Sequence, residues 1–174
     1  GSAILNRVVD ANSWHHEGTR EERREKACRA VSVELRAWSE SHVALDRRIR
    51  EVVPAMLGEQ FAEGVPHPGD LLKAKAAECG ILVRFAVAAL GMRMAVGVPQ
   101  LFELQASGDA LVEFLDVLKG APARVPLQTC QRLIELISRH EIMSIEAGVH
   151  QTPKCHQITE LARRRIKQYK HVGV

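Results

Sequence analysis

Apolar residues recur along the chain at steps of three and four, the spacing that places them on one side of an α-helix. The longest such series is Cys28, Val31, Leu35, Trp38, His42, Leu45, Ile49, Val52 and Met56. Arg29, Arg36, Glu40, Arg47 and Arg50 occupy the opposite side, so this segment predicts an amphipathic helix with one wet face. Thr19 and Glu22 stand at the capping-box spacing and place its start. Pro54 lacks a backbone donor and crowds the preceding turn, which predicts a kink at Val53 and a short continuation to about Ala62.

Gly64 to Gly69 holds two prolines and two glycines and reads as a loop. Asp70 then caps a second helix. Leu72, Ala76, Cys79, Val83, Ala86, Leu90 and Met94 line one of its sides, and Ile81, Phe85, Ala88, Met92 and Ala95 another. A helix apolar on two sides is expected to lie between neighbours, with Gly80 and Gly91 as points of close approach.

Gly97-Val98-Pro99 ends this helix, and a turn through Leu104 leads to Ser107-Gly108-Asp109 as the start of the next, whose apolar side is Leu111, Phe114, Leu115 and Leu118. After a loop from Gly120, Pro126 opens a helix striped by Leu127, Cys130, Ile134 and Ile137, continuing through Ile142 and Ile145 to a stop at Gly148. Thr152-Pro153 begins a last helix with Ile158, Leu161, Ala162, Ile166 and Tyr169 turned inward.

Strand-like alternation is missing throughout. The expected class is all-α: an irregular helical bundle, or a short non-repeating array of antiparallel helical hairpins, of about six helices. Residues 1–18 read as a tag remnant and short lead-in helix, with Gly1-Ser2 resembling the scar of tag removal, and residues 19–174 as a single helical domain excised from a larger protein.

Composition narrows the partners. The chain has 174 residues, 46% hydrophobic and 4% aromatic, with 24 Lys and Arg against 21 Asp and Glu for a net charge of +3. That length and apolar fraction exclude a disordered tail, and the small net charge argues against a bulk nucleic-acid binder. The most apolar stretch, Phe85 to Met92, is closed by Arg84 and Arg93, too short to span a bilayer, so no membrane partner is expected. Cys28, Cys79, Cys130 and Cys155 are scattered without close pairs, as in a reduced intracellular protein (cytoplasmic or nuclear) and unlike a zinc or redox motif.

Charge is uneven. From Lys154 to Lys170 there are six Lys and Arg against the single Glu160, and at helical spacing Arg163, Arg164, Lys167 and Lys170 form a candidate partner-binding face. From Phe85 to Leu118 the balance reverses, with Arg93 alone against Glu103, Asp109, Glu113 and Asp116.

Candidate chemistry is sparse. The chain has no Gly-rich phosphate loop, nucleophile elbow, H-E-x-x-H or E-x-x-H motif, so neither catalytic nor metal-binding residues are assigned and no cofactor is expected. His140, His150 and His156 with Cys155 are too poorly spaced for a metal site and read as surface or loop residues. His42 sits within an otherwise apolar stripe, as a half-buried residue making one hydrogen bond.

Between Leu115 and Lys170, Leu127-Gln128-Thr129, Arg139-His140, Leu161-Ala162 and the basic end faintly resemble the N-terminal helical domain of transcription elongation factors of the TFIIS type. That family's Ile-Gly step before the central helix is missing, and the chain is assigned to no family on these residues.

The leading expectation is therefore a protein–protein interaction domain, of scaffolding or adaptor type, holding a partner's helix or linear motif in a groove or on the basic face. Two alternatives stand beside it. One is a nucleic-acid-binding module using the same cations. The other is a homodimer formed through the stripe of Val31, Leu35, Trp38, Leu45 and Ile49, against which the mixed flanking positions favour packing within the chain.

Overall fold

The computed structural model describes residues 2–13, 15–44, 48–57, 76–93 and 100–149, together with Glu160 and Arg164. The protein is all-α, with five helices and no strand among the described residues. They are α1 (Ser2–Ser13), α2 (Arg20–His42), α3 (Ala76–Arg93), α4 (Gln100–Gly120) and α5 (Leu127–Glu146). The helix expected after Thr152-Pro153 lies outside the described residues, save that Glu160 and Arg164 are themselves helical. The chain divides into two compact units, residues 1–97 and 98–174.

In the first unit α1 packs on both α2 and α3. The boundary expected at residue 18 is not a break in packing, because Leu5, Val8 and Val9 of α1 are fully buried in the same unit as Val31 and Leu35 of α2. α2 begins where the capping residues place it: the Thr19 hydroxyl accepts the Glu22 N–H at 3.3 Å, and the Glu22 carboxylate accepts the Thr19 N–H at 2.8 Å. Hydrogen bonds that the carboxylate accepts, first from the Thr19 backbone N–H and then from the Thr19 hydroxyl, hold the Glu22 carboxyl below its usual range. Gly18 precedes the cap at φ +120°, and a Cβ there would lie 2.5 Å from the Glu22 carboxylate, so the tight entry into α2 needs glycine.

The predicted stripe from Cys28 to Met56 does not form one helix. α2 stops at His42, with the Val43 N–H closing onto Ser39 O, and residues 48–53 return as an irregular strap leading to a 3₁₀ turn over Pro54–Leu57. Arg48 contributes to this stop by donating to Val43 O at 3.1 Å and Glu40 O at 3.1 Å, carbonyls that a helix end leaves open. Ser32 fastens the strap: its Oγ accepts the Val52 N–H at 2.8 Å and donates to Cys28 O at 2.7 Å. Three- and four-residue spacing persists across the break because Ile49 and Val52 are buried in the same core, reached by a folded-back segment.

α3 is the most enclosed helix of this unit, with Leu82, Phe85, Ala86, Ala89 and Leu90 almost without exposure. Its glycines are not points of close approach. A Cβ at Gly80 would meet nothing within 4 Å, and Gly91 is exposed, so the packing runs through the alanines instead. The Asp70 cap lies outside the described residues.

The second unit is built on an antiparallel hairpin of α4 and α5, whose core is Phe114, Leu133, Leu136 and Ile137 with Leu115 and Val117 against it. α4 runs unbroken through Ser107-Gly108-Asp109, which were expected to begin a helix. One glycine costs a helix interior only about 1 kcal/mol, less than the burial of Leu104, Ala110 and Phe114 on either side returns. α5 ends at Glu146 and the chain is turned at the expected stop, Gly148, which takes φ +69°; its N–H donates to Ile145 O, and the Val149 N–H reaches back to Ser144 O at 2.8 Å. This is the Schellman closure, which requires a left-handed residue at Gly148.

Candidate functional site

Of the basic face, Arg164 is described, whereas Arg163, Lys167 and Lys170 lie outside the described residues. Arg164 is exposed, and its guanidinium donates to Glu160 at 3.0 Å one helical turn away. Such an exposed pair stabilises little and leaves the charge accessible to a partner.

The stripe assigned to self-association is occupied within the first unit. Val31 and Leu35 have no exposure and Ile49 is buried, so these three offer no seam to a second chain; Leu45 lies outside the described residues. Trp38 is half-buried. Its ring meets Phe85 edge-on at 5.9 Å and stacks on His42 at 4.6 Å, and His42 Nδ1 donates to Trp38 O at 2.7 Å. His42 thus makes the expected hydrogen bond, but from an exposed position at the end of α2. Glu34 and Arg93 join α2 to α3, with Arg93 Nη2 at 2.6 Å from both carboxylate oxygens and Nη1 donating to Ala89 O.

The most concentrated side-chain chemistry lies where sequence reasoning placed none. Ser107 of α4 and His140 and Ser144 of α5 are buried together. Ser107 Oγ stands 2.8 Å from His140 Nδ1, 2.7 Å from Ser144 Oγ and 3.3 Å from His140 O, and His140 Nδ1 stands 3.1 Å from Ser107 O. Burial disfavours the charged imidazole and lowers the His140 pKa below its ordinary 6.5, outweighing the hydrogen bond to the Ser107 carbonyl, which favours the proton. The surface reading of His140 is therefore corrected.

A serine hydrogen-bonded to a histidine has the elements of an activated nucleophile. Here Ser107 has no exposure, so its hydroxyl meets no substrate while the hairpin is closed. The arrangement instead satisfies polar groups that the two helices bury against each other.

The cluster was missed because the isoleucines of α5 suggested the wrong side. Its buried positions are Leu133, Leu136, Ile137, His140 and Ser144, whereas Ile142 and Ile145 are exposed by 53% and 60%. The available signal was the unbroken series Leu101, Leu104, Gly108, Leu111 and Leu115, which carries α4 past Ser107.

Among the described residues no group of three or more His, Cys, Asp or Glu is placed to hold a metal ion. Cys28, Cys79 and Cys130 are free thiols, and burial pushes the Cys28 thiol up to about 11, leaving it protonated and inert near neutral pH. No described helix is long and apolar enough to cross a membrane. Compared with known proteins, the chain matches no family model, no curated protein and no solved structure.

Proposed function

We propose that the protein is a scaffolding or adaptor module of a larger intracellular protein, which binds a partner protein and performs no catalysis. The observation that carries this reading is the outer side of α5. Ile142 and Ile145 lie three residues apart, mostly exposed, on the side turned away from the residues that close on α4. Single exposed apolar residues are ordinary, but two at helical spacing offer packing to an incoming amphipathic helix. The cations Arg163, Arg164, Lys167 and Lys170 follow in the chain, so the favoured partner segment is acidic on its polar side. Free thiols at Cys28, Cys79 and Cys130 support a reducing, intracellular setting.

The test is titration with a fluorescent acidic amphipathic peptide and, separately, with a double-stranded oligonucleotide, each over a salt series. Peptide binding is expected to weaken about tenfold or more, some 1.4 kcal/mol, in Ile142→Ser/Ile145→Ser and in the variant reversing the four cations to Glu. Peptide binding indifferent to both variants overturns the reading. Oligonucleotide binding that falls steeply with salt and ignores the isoleucines replaces it with the nucleic-acid alternative. Dimerisation abolished by the isoleucine variant assigns the surface to a second copy.

A further inference from the structure

The Ser107, His140 and Ser144 cluster joins two helices through one titratable ring. Ser107 belongs to α4, 33 residues from His140, so every hydrogen bond between them crosses the hairpin. A neutral imidazole has one bare nitrogen. With the neutral tautomer assigned as Nδ1 bare, the ring accepts the Ser107 hydroxyl proton and Ser144 Oγ–H donates to Ser107 Oγ, while the Ser107 carbonyl, 3.1 Å from Nδ1, receives a hydrogen bond from the ring only once Nδ1 is protonated. A protonated imidazole carries N–H on both nitrogens and accepts nothing. Ser107 Oγ–H must turn to His140 O or Ser144 Oγ, Nδ1–H must turn to the Ser107 carbonyl or hydroxyl, and the added charge sits in the buried seam between α4 and α5.

We propose that this cluster is a proton-operated latch: the neutral ring fastens α4 to α5, and its protonation reverses the hydrogen bonds and lets this end of the hairpin open more readily. Among the described residues, the charged groups nearest it along the two helices are Glu103 and Asp109 on α4 and Arg139 and Glu141 on α5. Asp109 is exposed and accepts from Gln105 Nε2, and Arg139 is exposed. Glu103 lies one turn before Ser107 and has a buried Oε2 without a hydrogen-bond partner, while the hydrogen bonds of the ring run to Ser107. Among the described residues the ring has no salt-bridge partner to hold its proton.

The sign follows from the buried ring. The folded-state pKa lies below the unfolded value of 6.5, so the unfolded or opened chain binds the extra proton. Closure is complete above pH 6.5 and weakens as pH falls from there through the folded-state value.

The experiment is an NMR titration of the histidine rings in the whole chain, combined with hydrogen exchange of the α4 and α5 amides. Expected are a His140 midpoint below 6.5 and a several-fold rise in the opening constants near Ser107 and His140 over the same pH range. Ser107→Ala removes the donor without adding bulk and is expected to move the midpoint up toward 6.5. His140→Gln keeps an acceptor but cannot titrate, and its opening constants should be level with pH. A wild-type His140 midpoint at or above 6.5, or an unchanged pH profile in His140→Gln, overturns the proposal. Should His140→Gln not fold, the wild-type midpoint and its movement in Ser107→Ala decide the matter alone.

Discussion

The two units bury polar side chains to different ends. In the first, Ser32 joins backbone to backbone: its hydroxyl accepts from Val52 N–H and donates to Cys28 O, and the core around it is apolar. In the second, Ser107 joins side chain to side chain, with the apolar core of Phe114, Leu133, Leu136 and Ile137 set to one end and a hydroxyl–imidazole cluster at the other. A hydroxyl spent on backbone groups answers to nothing in solution but denaturant and heat. One spent on an imidazole answers to protons as well, so equal burial gives one unit a fixed seam and the other an adjustable one.

The largest expected effect separates the two apolar cores. Phe85 has no exposure and meets Trp38 edge-on, whereas Phe114 lies at the margin of its cluster with 9% exposure. Phe85→Ala should cost about 4–5 kcal/mol and Phe114→Ala about 3 kcal/mol, measured by denaturant unfolding. A larger loss for Phe114→Ala would break the comparison.

Ser32→Ala comes next, at about 1–3 kcal/mol, since it strands a buried Val52 N–H. Amide exchange at Val52 should accelerate most, and unchanged protection there would remove Ser32 from its fastening role. The smallest effect is Ser39→Ala in the same helix. Ser39 Oγ is buried without a hydrogen-bond partner, so losing it should be neutral or stabilise by up to about 1 kcal/mol. A clear destabilisation would show that burial alone, rather than partnership, explains Ser32.

These pairs also mark what could be read from sequence. The capping box at Thr19 and the stop at Gly148 were legible because each depends on residues within one turn of it. The all-α class followed from spacing alone. The hidden features depend on distant partners. Ile49 and Val52 keep helical spacing although the chain has turned back, because a core rewards burial however it is reached. His140 and Ser144 look like polar surface residues until Ser107 is placed opposite them, and Ser107 itself was hidden by Gly108, read as a helix start. The basic residues Arg163, Lys167 and Lys170 were legible as charge, which carries no geometry.

The clasp between Ser32 and Val52 also bears on the order of assembly. Its partners are 20 residues apart, and closing a chain of that size takes on the order of a hundred nanoseconds and a few kcal/mol of entropy. The helical turn carrying Ser32 orients this acceptor, because Cys28 O receives its proton and leaves a lone pair facing Val52. The expected order is α2 first, with the strap condensing onto it late. Ser32→Ala should accordingly speed unfolding while leaving the folding rate nearly unchanged, which makes this hydroxyl a brake on departure from the native state.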